Sequence, residues 1–132
     1  MTEPSDTVPL DPAEKSQVRA ASYLTVPQFH RLNWACRPIH DAFGVTPFLV
    51  GSVQTRPDYR DVDLRMPMGQ NERWYGTEFV IEDEQIRLLI NIAISELLRQ
   101  QTGLPIDFQL QPLDEWESYD TSLRNPMGVR RA

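Results

Sequence analysis

Asp61 and Asp63 stand two residues apart in Asp61-Val62-Asp63-Leu64-Arg65-Met66, where polar and apolar residues alternate strictly. A period of two marks a strand with two different faces. It puts both carboxylates on one face and turns Val62 and Leu64 to the core. Carboxylates held this close repel each other unless a cation stands between them. Hard oxygen ligands of this kind suit Mg²⁺ or Mn²⁺. Asp107 repeats the pattern, flanked by Ile106 and Phe108 in a second alternating stretch that runs from Ile106 to Gln111. If the two strands are neighbours, the three acids converge on one patch and can hold two metal ions. Such a pair stabilises the attacking and leaving oxygens of an in-line phosphoryl displacement. Gly51-Ser52 follows the short apolar run Pro47-Phe48-Leu49-Val50. Glycine permits close backbone approach, and the Ser52 amide and hydroxyl can donate to phosphate oxygens.

The elements that must position these residues are legible in the periodicity. Thr25 with Gln28 three residues on is a capping box, and Pro27 suits a first helical turn. Phe29, Leu32, Cys36, Ile39 and Phe43 then recur at steps of three and four, which predicts a helix ending near Gly44 with a kink at Pro38. Phe48 to Val50 reads as a buried strand, Asp61 to Met66 as a second, and Pro67 to Arg73 as a loop. Trp74 to Ile81 suggests a further strand. A second helix is expected from about Asp83 to Gln101. Ile86, Leu89, Ile90, Ala93, Leu97 and Leu98 form its apolar stripe, and Gly103 and Pro105 stop it. The strand with Asp107 follows. The expected fold is α/β of the α+β type, a short mixed sheet with two main helices on one face. Residues 1–22 read as a flexible Pro-rich arm, 23–118 as the folded domain, and 119–132 as a polar, loosely ordered tail.

Composition narrows the function classes. The chain has 132 residues, enough for one domain with a real core. A formal net charge of −6 disfavours broad binding to nucleic-acid backbones. No apolar run reaches membrane-span length. The acidic, Pro-rich stretch from Met1 to Asp11 is unlike a signal peptide, so a cytoplasmic protein is expected. One cysteine, Cys36, allows no internal disulfide, and with two histidines it does not make a Cys/His zinc site.

Taken together, Leu49-Val50-Gly51-Ser52, Asp61-Val62-Asp63-Leu64 and Ile106-Asp107-Phe108 resemble the motifs of the DNA polymerase beta-like nucleotidyltransferase superfamily. A helix before the first strand and another between the second and third acids agree. The resemblance covers roughly residues 25 to 112 and is nearest to small, stand-alone members. It implies metal-dependent transfer of a nucleoside monophosphate from an NTP to an acceptor hydroxyl, with release of pyrophosphate. By the resemblance Gly51 and Ser52 bind nucleotide phosphates, Asp61 and Asp63 ligate both Mg²⁺ (or Mn²⁺) ions, and Asp107 ligates the catalytic ion and helps activate the acceptor. The helical second domain of larger members is missing, so a protein partner or a second copy is expected to complete the cleft. The acceptor stays open between an RNA end, a protein and a small molecule.

Other residues have competing readings. Arg65 shares parity with Asp61 and Asp63. It either contacts the triphosphate, as a nucleotide-binding residue, or neutralises the acids in place of metal. Arg56 and Arg60 can also reach a phosphate. Cys36 reads as core, His30 and His40 as surface, and Trp116 as an anchor for the tail. Two rival readings of the whole remain. One is a non-catalytic domain of the same fold working through protein contacts. The other is an unrelated α+β binding module, which a structure placing Asp107 far from Asp61 would support.

Overall fold

Thr25 opens the first helix through reciprocal bonds. Its hydroxyl accepts from the Gln28 N–H at 3.2 Å, while Gln28 Oε1 accepts from the Thr25 N–H at 2.8 Å. This capping box satisfies donors that a helix start leaves over. The helix belongs to a computed structural model that describes residues 22–68, 81–116 and 124–129. Helix α1, Val26–Phe43, continues through Pro38 and closes at Gly44 in the left-handed region, whose N–H donates to the His40 carbonyl. Pro38 leaves the carbonyl four residues earlier without a helical partner. That residue, Trp34, lies on the exposed side, where water can serve it. Leu32, Cys36 and Ile39 form the buried face. Burial pushes the Cys36 thiol up to about 12, as expected of an inert core thiol.

Strand β1, Phe48–Val50, pairs antiparallel with β2, Val62–Met68. Strand β2 pairs parallel with β3, Ile106–Pro112. A parallel pair needs a long crossover, and helix α2, Glu84–Thr102, lies within it. Asp83 caps α2 by accepting from the Ile86 N–H at 3.0 Å, and Gly103 closes it. A four-residue helix, α3, Leu113–Trp116, follows β3, and β4, Asn125–Pro126, pairs with the far side of β1. The sheet order is β3-β2-β1-β4. The fold is thus α+β, two helices with a four-stranded mixed sheet. Val62, Leu64, Met66, Ile106 and Phe108 meet Leu32, Cys36, Ile39 and Leu98 in one core cluster. Burying each such side chain contributes roughly 1.5–3 kcal/mol.

The exposed long edge of β3 is covered by α2. Asn91, Ser95 and Arg99 recur every fourth residue, hence one per turn on one face. Asn91 Oδ1 accepts from the Leu110 N–H at 2.8 Å. Ser95 Oγ accepts from the Phe108 N–H at 2.9 Å and lies 3.3 Å from the Phe108 carbonyl. Arg99 Nε donates to the Ile106 carbonyl at 2.9 Å. Alternate residues of the strand thereby lose the unpaired groups that invite another strand.

Three expectations are revised. Pro67 lies inside β2 rather than in a loop. Strand β1 ends opposite Arg65, so among the described residues the strand has a neighbour on one side only at Pro67, where a residue without an N–H is tolerated. The apolar stripe of α2 divides: Leu98 is buried and Ile90 packs on the core, whereas Ile86, Leu89 and Leu97 are 46–65% exposed. The inward face is shared instead with the polar Asn91 and Ser95, which serve β3. Within the expected loose tail, residues 124–129 are built into the fold: β4 joins the sheet, Met127 is fully buried, and Asn33 bonds to both Gly128 N–H (2.8 Å) and the Val129 carbonyl (3.1 Å). The strand expected over 74–81 lies outside the described residues except for Ile81, which is not in a strand.

No helix among the described residues is long and apolar enough to cross a membrane.

Candidate active site

The first strand and its turn bring Gly51 beneath Asp63. Gly51 has φ 81° and ψ −161°, a region essentially confined to glycine. A β-carbon placed on it would collide with Asp63 Oδ2 and stand 3.2 Å from Asp63 Cγ. The register explains the approach, because Val50 pairs with Asp63 and the chain turns immediately afterwards. A short 3₁₀ turn, Ser52–Gln54, follows and buries Val53 and Gln54. The chain then loops back over residues 55–61 into β2.

This turn and loop enclose a polar cleft of about 410 Å³ lined by Ser52, Arg56, Asp58, Tyr59, Arg60, Asp61 and Asp63. Of the expected site residues, Ser52, Asp61 and Asp63 share this cleft, and Gly51 does not line it but packs against Asp63. Asp61 is exposed just before β2, whereas the Asp63 side chain is 23% exposed. No described residue donates a hydrogen bond to the Asp63 carboxylate. Burial raises its pKa, the neighbouring Asp107 and Asp61 add to the rise, and Arg65 opposes it. A half-buried carboxylate that accepts no hydrogen bond from a described residue and is raised by two neighbouring acids is one that a bound cation stabilises.

Asp107 is the register partner of Asp63 on the adjacent strand, so the two acids are side by side across the sheet. It lines a different hollow, about 340 Å³, with Leu88, Asn91, Ile92, Ser95, Arg99, Phe108 and Gln109. Arg65 lies between. Its Nη2 is 3.3 Å from Asp107 Oδ2 and 3.8 Å from Asp63 Oδ1, and Nη1 donates to the Asp107 and Leu64 carbonyls at 2.7 and 2.9 Å. The side chain is buried and does not line the cleft, so of its two readings the geometry favours neutralising the acids over touching a phosphate. Among the described residues no three acids, histidines or cysteines are grouped so as to hold a metal. Asp61 and Asp63 fit a hard divalent ion completed by oxygens from solvent or ligand. Asp107 can join them only by leaving Arg65.

One cleft residue, Tyr59, carried little signal in the sequence. Tyr59 is placed there by loop geometry, which periodicity does not reach. Arg60 adds a guanidinium that makes no ion pair with a described residue, whereas Arg56 is engaged by Asp58 at 3.0 Å. That exposed pair raises the Arg56 pKa and lowers that of Asp58, chiefly through their hydrogen bond. His30 is exposed and His40 partly so, and neither lines the cleft. Trp116 is buried against Phe48, with the Arg124 guanidinium 4.0 Å from its ring centre, so it does tie in the chain's last described segment.

The chain matches no family model, no curated protein and no solved structure.

Proposed function

We propose that the cleft is the active site of a metal-dependent nucleotidyltransferase that moves a nucleoside monophosphate from an NTP to an acceptor hydroxyl. The observation that carries this reading is Asp63, a half-buried carboxylate without a hydrogen-bond donor among the described residues, set against Gly51 and sharing a cleft with Asp61 and Ser52. The order of helix, Gly-Ser strand, two-acid strand, helix and third-acid strand supports it.

Asp61 and Asp63 would hold Mg²⁺ or Mn²⁺, which supplies charge neutralisation on the phosphates and a lowered pKa at the acceptor hydroxyl. Gly51 lets Asp63 lie against the backbone turn, Ser52 offers its hydroxyl to a phosphate, and Arg60 offers a guanidinium that makes no ion pair with a described residue. The acceptor oxygen bonds to the α-phosphorus, the α–β anhydride bond breaks, pyrophosphate leaves, and the hydroxyl proton passes to a carboxylate of the cluster. A protein partner or second copy would complete the cleft.

The test is incubation with each α-labelled NTP, Mg²⁺ or Mn²⁺, and a mixture of RNA, protein and small-molecule acceptors. Wild type should transfer label, and the Asp61→Asn/Asp63→Asn variant, folded, should not. Equal transfer by both would end the proposal.

A second reading is favoured by one observation, the Arg65–Asp107 pair, which engages the third acid with a protein cation. On that reading the domain is non-catalytic and acts through protein contacts. Mn²⁺ then leaves the melting temperature unchanged, whereas on the enzymatic reading it raises it.

A further inference from the structure

Arg65 is not a mobile surface side chain. Its Nη1 is fixed by two main-chain carbonyls, Leu64 at 2.9 Å and Asp107 at 2.7 Å, and only 10% of the side chain is exposed. Its Nη2 reaches Asp107 Oδ2 at 3.3 Å and faces Asp63 Oδ1 at 3.8 Å. The Asp107 carboxylate is held from a second direction, since Gln109 Nε2 lies 3.5 Å from Oδ1 and 3.4 Å from Oδ2. Both oxygens of Asp107 are therefore engaged, and the side chain opens on the α2 hollow rather than on the cleft. The Asp63 carboxylate, by contrast, accepts no hydrogen bond from a described residue.

We infer that the site holds one divalent cation, at Asp61 and Asp63, and that the Arg65 guanidinium occupies the position between Asp63 and Asp107 that a second cation would need. The inference rests on the nucleotidyltransferase reading and departs from the two-ion site that three convergent acids suggest. Its physical basis is charge. A guanidinium does not give up its proton at any working pH, so its repulsion of a second divalent ion is permanent. The same charge offsets the repulsion between Asp63 and Asp107, which neighbouring carboxylates otherwise relieve by taking up a proton or a cation. Arg65 Nε is buried with no hydrogen-bond partner among the described residues, so the guanidinium is held by its two terminal nitrogens alone. Arg65 is a positioning residue on this account. It sets the number of ions and the orientation of Asp107 without touching the nucleotide.

The experiment is a Mn²⁺ titration of the full chain with a non-hydrolysable ATP analogue present, followed by calorimetry and by the electron paramagnetic resonance of free Mn²⁺. Wild type should bind one ion per chain, and Arg65→Gln should bind two. Asp107→Asn should still bind the single ion, because Asp107 is not its ligand. Two ions in wild type would overturn the inference while leaving the transferase reading intact. No ion in wild type, with no label transfer, would remove the transferase reading and the inference with it. One ion in both wild type and Arg65→Gln would show that Arg65 does not exclude the second. Should Arg65→Gln fail to fold, Asp107→Asn decides: loss of all Mn²⁺ binding in a folded Asp107→Asn chain would make Asp107 a ligand and overturn the inference.

Discussion

Gly51 and Asp63 are packed so closely that no β-carbon fits between them. The contact couples the backbone turn after β1 to the carboxylate at the centre of the candidate site. Gly51→Ala therefore acts twice. The backbone at φ 81° becomes strained, at a cost of about 1–3 kcal/mol, and Asp63 is pushed from its place. We expect a lower urea midpoint together with weaker Mn²⁺ binding. A variant with native stability and native Mn²⁺ affinity would show that the contact is slack.

The pH dependence of stability has a definite sign at Asp63. Burial, with Asp107 and Asp61 adding and Arg65 opposing, raises its pKa in the folded chain. The folded state thus holds this proton more tightly than the unfolded state. Ionisation of Asp63 costs nothing below the unfolded pKa. The cost grows as pH rises towards the folded pKa and is complete above it. Asp63→Asn should accordingly be more stable than wild type at about pH 7 and lose that advantage by about pH 3. Urea midpoints of the two proteins across this range measure the difference. Saturating Mn²⁺ should narrow it at neutral pH by stabilising wild type alone.

Ser95 is the middle member of the row that covers β3, and its hydroxyl serves buried groups of Phe108. Ser95→Ala leaves a buried N–H unsatisfied and should cost about 1–3 kcal/mol. Combined with Asn91→Leu, which releases the Leu110 N–H, it should also expose the strand edge and promote association, visible by light scattering at rising concentration. A monomeric double variant of native stability would argue against the covering role.

Asn33 ties α1 to the chain's last described segment through bonds to Gly128 and Val129. Gly128, at φ 78°, lies where a β-carbon would meet the Cys36 carbonyl, so this segment passes directly over the helix backbone. Asn33→Ala should lower stability by about 1–3 kcal/mol. Truncation after residue 123 should lower it further, because Met127 leaves a fully buried site. Thermal melts of both variants test this, and an unchanged melt of the truncated chain would show that β4 contributes nothing.

Much of this architecture was legible because its causes are local. The Thr25–Gln28 box, the closing glycines Gly44 and Gly103, and the alternation around Asp63 and Asp107 each depend on residues within a turn or a strand. The two-residue strand β4 carries no such period. Asn125-Pro126 is a strand because β1 has a free edge beside it, which no composition of six residues announces. The α2 stripe was misassigned for a related reason. Periodicity shows that a helix has an apolar side, but the neighbour decides which part of a wide stripe is covered. Here β3 turned to Asn91 and Ser95.

The sequence by itself determined that Asp63 and Asp107 each lie on an alternating strand between apolar neighbours of the opposite face, and that Gly51 follows a buried strand, since a period of two decides facing wherever the strand lies. Only the tertiary structure decided that β3 runs beside β2 with Asp107 opposite Asp63, and that Arg65 is buried between them rather than extended into the cleft. Strand order and the depth of a side chain depend on residues far apart in the chain. Arg65 turns inward because the carbonyls of Leu64 and Asp107 and the two carboxylates converge there, and that convergence exists only once the parallel pair has formed.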